Sequence, residues 1–169
     1  NDLVTLALGV PLLTAGVILA RRASLRGRLL WLGALGYALY NYAFYLFGAA
    51  LNPFFALYVV ALVLASVTII LALSRTNVEE AAAGFDGRTP VRLVGGYLLF
   101  VALGLTVVWL GMWAAHVFGG RPTPGSPETF KLVAALDLTV MVPALSSGGV
   151  LLWRRHPWGY VIAVMASVQ

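Results

Sequence analysis

The sequence predicts an all-α fold: a polytopic transmembrane helix bundle of about six helices, the last one short. Three observations carry that expectation. Hydrophobic residues fill 61% of the 169 positions and charged residues only 10%, against roughly 45–50% and about 25% in soluble domains. Mean hydropathy is +0.92. The apolar residues also gather into long runs with the charges between them, and a spanning helix needs about 20 such residues.

The first run, residues 3–20, has only Thr5 and Thr14 as polar side chains, with Pro11 near its middle. Asn1 and Asp2 precede it without a basic segment, so it is expected to be retained rather than cleaved as a signal peptide. Arg21, Arg22, Arg26 and Arg28 close it. The second run, 29–50, is rich in tyrosine, with Tyr37, Tyr40, Tyr42 and Tyr45 around Asn41. Leu51-Asn52-Pro53 is uncharged, and proline favours a tight turn there. The second helix and the third, 54–73, should therefore form an antiparallel hairpin. Ala61, Ala65 and Ala72 lie near one face of the third with Thr68, which suits close helix contact.

Residues 74–89 are the most soluble part, with Arg75, Glu79, Glu80, Asp86 and Arg88. Asn77 followed by Glu80 has capping-box spacing, which predicts a short interfacial helix over 78–83 that Gly84 ends. The fourth spanning run is 91–117. Gly104 and Gly111 share one of its faces, and Trp109, Trp113 and His116 mark its far end as an aromatic belt would. The loop 119–128 holds three prolines and should be extended and exposed. The fifth run, 130–153, carries Asp137 and Pro143 and stops at Trp153-Arg154-Arg155-His156. The sixth, 158–169, is too short to span and reads as the visible part of a longer helix. Residues 1–169 are read as one transmembrane domain.

Charge sets the orientation. The segments after the first, third and fifth helices hold nine of the eleven basic residues; only Arg121 and Lys131 lie on the other side. Basic segments stay in the cytoplasm, so the N-terminus is expected outside. The net charge of +5 is explained by this distribution and by anionic headgroups, not by nucleic acid.

Several chemistries are excluded. Cysteine is absent, so there is no thiolate ligand or nucleophile. A bis-histidine haem needs both histidines at one depth, but His116 and His156 fall on opposite sides. Zinc lacks ligands, and Ser126 lacks the context of a triad nucleophile. No metal and no cofactor is called for.

The polar residue that stands out is Asp137. An acid near a helix centre costs about 2.5–3.5 kcal/mol on insertion scales and marks a functional site by default. Ala134, Asp137, Met141, Ala144 and Gly148 fall within an arc of about 80°. That face of small, adaptable side chains should pack on protein, taking Asp137 with it. Asn41 and Tyr45 share a stripe on the second helix with Tyr37 and Gly48. Asn41, Tyr45, Tyr58 and His116 all fall in the outer half, as Asp137 does, and Asn41, Tyr45 and His116 are its expected partners. Pro143 removes a backbone hydrogen bond, and with Ser146, Ser147, Gly148 and Gly149 it makes the helix kinkable.

The pattern of Ala135-Leu136-Asp137-Leu138, Pro143, Leu152-Trp153-Arg154-Arg155 and Pro157-Trp158-Gly159-Tyr160 resembles that of multi-pass bacterial membrane proteins to which no activity is assigned. The resemblance covers the last quarter of the chain and implies a bacterial inner-membrane setting.

The functional expectation is an outward-facing polar pocket around Asp137, with Asn41, Tyr45, Tyr58 and His116 as further ligand-binding residues. It would bind or translocate a small molecule or a proton. The alternative is a structural or accessory subunit, whose small-residue faces pack on a partner membrane subunit or a second copy. An enzyme is the least supported class, because an acid and phenols without a nucleophile–base pair make no catalytic set.

Overall fold

The computed structural model describes residues 25–85 and 89–168. The expected helix 3–20 lies outside the described residues, as do Thr5, Asp86, Arg88 and Gln169. Six helices are described: α1 (Leu25–Gly48), α2 (Phe55–Ser74), α3 (Val78–Ala83), α4 (Val91–Gly119), α5 (Pro127–Trp153) and α6 (Pro157–Val168). There is no strand among the described residues, so the all-α bundle stands.

α2, α4 and α5 are each long and apolar enough to cross a membrane. Their 20, 29 and 27 residues correspond to about 30, 44 and 40 Å at 1.5 Å per residue. The surface of α2 is apolar and outward-facing: Leu57, Val60, Val63, Leu64, Val67, Ile70 and Leu71 are exposed, and Ala65 is its one buried residue. α1 is less apolar because of its four tyrosines, Asn41 and its glycines, yet it is the better buried, with Leu29, Leu32, Ala34, Leu35, Ala38 and Ala43 inside.

The helices neighbour one another in the spatial order α2, α1, α6, α5, α4, with α3 lying on α6. α6 is therefore central despite being the shortest of these five. It contributes Val161 to a cluster with Leu29, Leu32 and Ala81, and Ala163 and Ala166 to a second with Val91, Leu98, Ala102, Leu145 and Leu152. No polar or charged residue is fully buried among those described.

Local chemistry accounts for the boundaries. Asn52 accepts from the Phe54 amide at 2.9 Å and donates to the Ala50 carbonyl at 3.0 Å, which makes the turn of the α1–α2 hairpin. Asn77 caps α3 by accepting from the Glu79 and Glu80 amides, and Gly84 ends it. Ser126 caps α5, so that helix begins three residues before the expected start at 130. α1 is already helical at Leu25, before the expected start at 29, so it takes in part of the arginine segment. Long basic side chains tolerate this because their heads reach water while their stems cover apolar surface.

One close helix crossing is between α4 and α5 at Gly95 and Gly149. A Cβ on either would lie 2.9 Å from the carbonyl oxygen of the other, too near for any side chain. Trp153 locks the same crossing by donating its indole N–H to the Arg92 carbonyl at 2.7 Å. Gly104 and Gly111, expected to mark close packing, have nothing among the described residues within 4 Å of the position a Cβ would take, and both are exposed.

Candidate functional site

Within α5 the backbone widens into a π turn at Asp137–Met141, where the Val142 amide reaches back to the Asp137 carbonyl. Pro143 follows at once, and its ring nitrogen can donate nothing to the ladder. The irregularity of this helix is thus a π turn just ahead of the proline. The Thr139 hydroxyl donates to the Ala135 carbonyl at 2.6 Å, the kind of local bond that stabilises irregular backbone at membrane depth. Such π turns occur often at functional sites.

Asp137 is half-buried and ties three helices. The Tyr40 hydroxyl of α1 donates to Oδ1 at 2.6 Å, and the Trp109 indole N–H of α4 donates to Oδ2 at 2.8 Å. Both donors are neutral, and no basic side chain among the described residues pairs with the carboxylate. A carboxylate can offer about four acceptor positions; two are filled by donors among the described residues. Tyr40 and Trp109 hold the carboxyl group in place as neutral donors.

The three residues meet because their depths match. Tyr40 lies eight residues before the end of α1, Trp109 ten before the end of α4, and Asp137 ten after the start of α5. At 1.5 Å per residue these are about 12–15 Å below one end of the bundle. His116 is only three residues from the end of α4 and serves there instead. Its Nδ1 lies 2.7 Å from the Arg121 carbonyl as the helix closes.

The other expected ligand-binding residues fall elsewhere. Tyr45 stacks on Tyr58 at 5.4 Å between ring centroids, with Tyr42 beside them at 6.4 Å. This aromatic cluster joins α1 to α2. Asn41 is half-buried on α1 but is not one of the two groups bonded to Asp137. Of the five, the structure brings Tyr45 and Tyr58 together, as stacked rings rather than as partners of the acid.

Beside the acid lies a small open cavity of about 220 Å³ lined by Trp109, Leu110, Trp113, Phe130, Ala134 and Leu138. Trp109 is both its wall and the donor to Asp137, and its ring sits edge-on to Phe130 at 5.5 Å. Asp137 is not itself a lining residue; it meets this aromatic wall through the Trp109 indole. Aromatic faces attract cations, so the wall and the acid favour the same kind of ligand. Only depth along the helices points to Tyr40 and Trp109 in the sequence, since the polar stripe on the second helix runs through Asn41. No metal-binding group of acids and histidines occurs among the described residues. No family model, curated protein or solved structure matches the chain.

Proposed function

We propose that the chain is a multi-pass integral membrane protein that binds a small amphipathic molecule with a cationic head at Asp137. The apolar body of the ligand would rest on Trp109, Trp113 and Phe130. One observation carries this reading: Asp137 is held by two neutral donors with no basic partner among the described residues, and one of those donors, Trp109, is also a wall of an aromatic cavity. A buried or half-buried charge without a counter-charge is costly, and a cationic ligand would relieve that cost. The concentration of basic residues at the opposite end supports an outward-facing site with the N-terminus outside. The resemblance over residues 135–160 supports a bacterial cytoplasmic membrane.

Asp137→Asn is the informative variant, because it removes charge and keeps the geometry. Trp109 can only donate, so it would bond the amide oxygen; the amide NH₂ would then donate to the Tyr40 oxygen, whose hydroxyl can turn. Titration with phenethylammonium, followed by tryptophan fluorescence, should give saturable quenching in the native protein and at least tenfold weaker binding in Asp137→Asn. Equal binding by both proteins would reject the site. Native mass spectrometry of gently extracted protein should also find a small extra mass that Asp137→Asn lacks.

A second reading, an accessory subunit, has one observation in its favour. Gly104 and Gly111 leave a shallow strip on the outer face of α4, between Phe100, Leu103, Val107 and Val108. A second polypeptide mass in the same native spectra would favour it.

A further inference from the structure

A second cavity lies at the opposite, arginine-bearing end, between the start of α1 and the end of α2. It has a volume of about 500 Å³, more than twice that beside Asp137. Exposed Arg28 and Arg75 form its mouth at the helix ends, and Trp31, Leu32, Thr68, Leu71 and Ala72 line it one to two turns further along α1 and α2. The hairpin is antiparallel, so the first turn of α1 and the residue after α2 come to one level. Both guanidinium-bearing residues are exposed, and neither pairs with a carboxylate among the described residues. The nearest described acids in sequence, Glu79 and Glu80, lie in the first turn of α3 and make no ion pair with them.

The lining changes from charged to apolar along the cavity. Two guanidiniums at the mouth match a phosphate, which arginine binds with paired N–H donors. Trp31 supplies the amphipathic ring favoured at a membrane interface. Beyond it, Leu71 opens onto the exposed apolar face of α2, a track for hydrocarbon chains. A free phosphate would use only the mouth. A molecule with a phosphate at one end and acyl chains at the other uses the whole cavity.

We propose that this cavity is a binding site for an anionic glycerophospholipid, its phosphate held by Arg28 and Arg75 and its acyl chains running past Thr68 and Leu71 along α2. The site requires the chain to be embedded in a bilayer but is independent of Asp137. It places the arginine end at a leaflet rich in anionic lipid, whose negative surface attracts basic residues.

The test is native mass spectrometry of delipidated full-length protein titrated with phosphatidylglycerol, phosphatidylcholine or inorganic phosphate. Wild-type protein should retain phosphatidylglycerol at least tenfold more tightly than phosphatidylcholine. Arg28→Gln/Arg75→Gln should weaken it by about 30-fold, while Arg154→Gln/Arg155→Gln, with the same loss of charge, and Asp137→Asn should not. Thr68→Phe keeps both arginines and fills the cavity, so it should lower occupancy as well; an unchanged thermal unfolding temperature would certify the fold of each variant. Equal retention of the two lipids, an equal loss in the Arg154/Arg155 pair, or full binding by Thr68→Phe would overturn the proposal. Displacement of the lipid by millimolar inorganic phosphate would reassign the mouth to a soluble anion and equally overturn it.

Discussion

Tyr40→Phe removes one hydroxyl and leaves the ring of α1 in place. The lost bond is the 2.6 Å contact to Asp137 Oδ1. Hydrogen bonds to charged groups contribute about 1.5–3 kcal/mol in soluble proteins, but transmembrane pairs average about 0.6 and reach about 1.7 kcal/mol. For a half-buried carboxylate that keeps its second donor, the expected loss is about 1 kcal/mol. Trp109→Phe should lose a similar amount through the 2.8 Å bond, plus whatever its edge contact with Phe130 contributes. Asp137→Ala removes both bonds and should cost about 2 kcal/mol by the same reckoning. The decisive quantity is coupling. In the Asp137→Ala background, Tyr40→Phe should cost almost nothing, giving a coupling energy of about 1 kcal/mol. Equilibrium unfolding in mixed detergent–SDS micelles would measure all members of the cycle. Additive effects, with coupling below about 0.3 kcal/mol for both the Tyr40 and Trp109 pairs, would refute the three-helix tie. Asp137→Asn, which can keep two hydrogen bonds, should stay within about 1 kcal/mol of wild type, so that lost binding in that variant reports lost charge.

The glycines give a contrasting pair of expectations: Gly95→Ala or Gly149→Ala should destabilise by about 1–3 kcal/mol through overpacking, whereas Gly104→Ala and Gly111→Ala should stabilise by about 0.5–1 kcal/mol. Thermal unfolding in detergent compares them, and equal effects would contradict the α4–α5 crossing. Asn77→Ala should cost α3 about 1 kcal/mol of cap energy, seen as faster amide exchange over 78–83 with α1 unaffected; unchanged protection there would show that the cap carries no weight. A membrane-impermeant thiol reagent added from outside should label Ser126→Cys and not Ala82→Cys, and the reverse pattern would invert the proposed orientation.

Helix identity was legible because long apolar runs bounded by charge have few alternatives. The α3 helix was legible in detail, from Asn77 at its cap to Gly84 at its end, because capping is local chemistry. The inward placement of Asp137 was also legible, since its face of small residues suits protein contact. Its partners were not. A helical face read at a constant 100° per residue takes no account of a π turn, and which donors meet an acid depends on how far each helix runs. Trp109 reads as one of an aromatic belt with Trp113 and His116, yet its position ten residues inside Gly119 puts it level with Asp137. The glycines failed for a related reason. Spacing identifies a face with no Cβ but not what lies opposite, so Gly104 and Gly111 were indistinguishable in kind from Gly95 and Gly149.

The central position of α6 has a consequence for biosynthesis. Membrane proteins are threaded into the bilayer in the order in which they are translated, and earlier segments fold first. α6 follows every other described helix in the chain, yet it packs between α1 and α5. In order of synthesis the helix that lies between α1 and α5 is thus the last described to arrive, and only with Pro157–Val168 present can Val161 and Ala163 bring the two clusters together. A ribosome stalled short of residue 157 would leave a membrane intermediate with its keystone missing, exposed to capture by chaperones or by proteases of the bilayer.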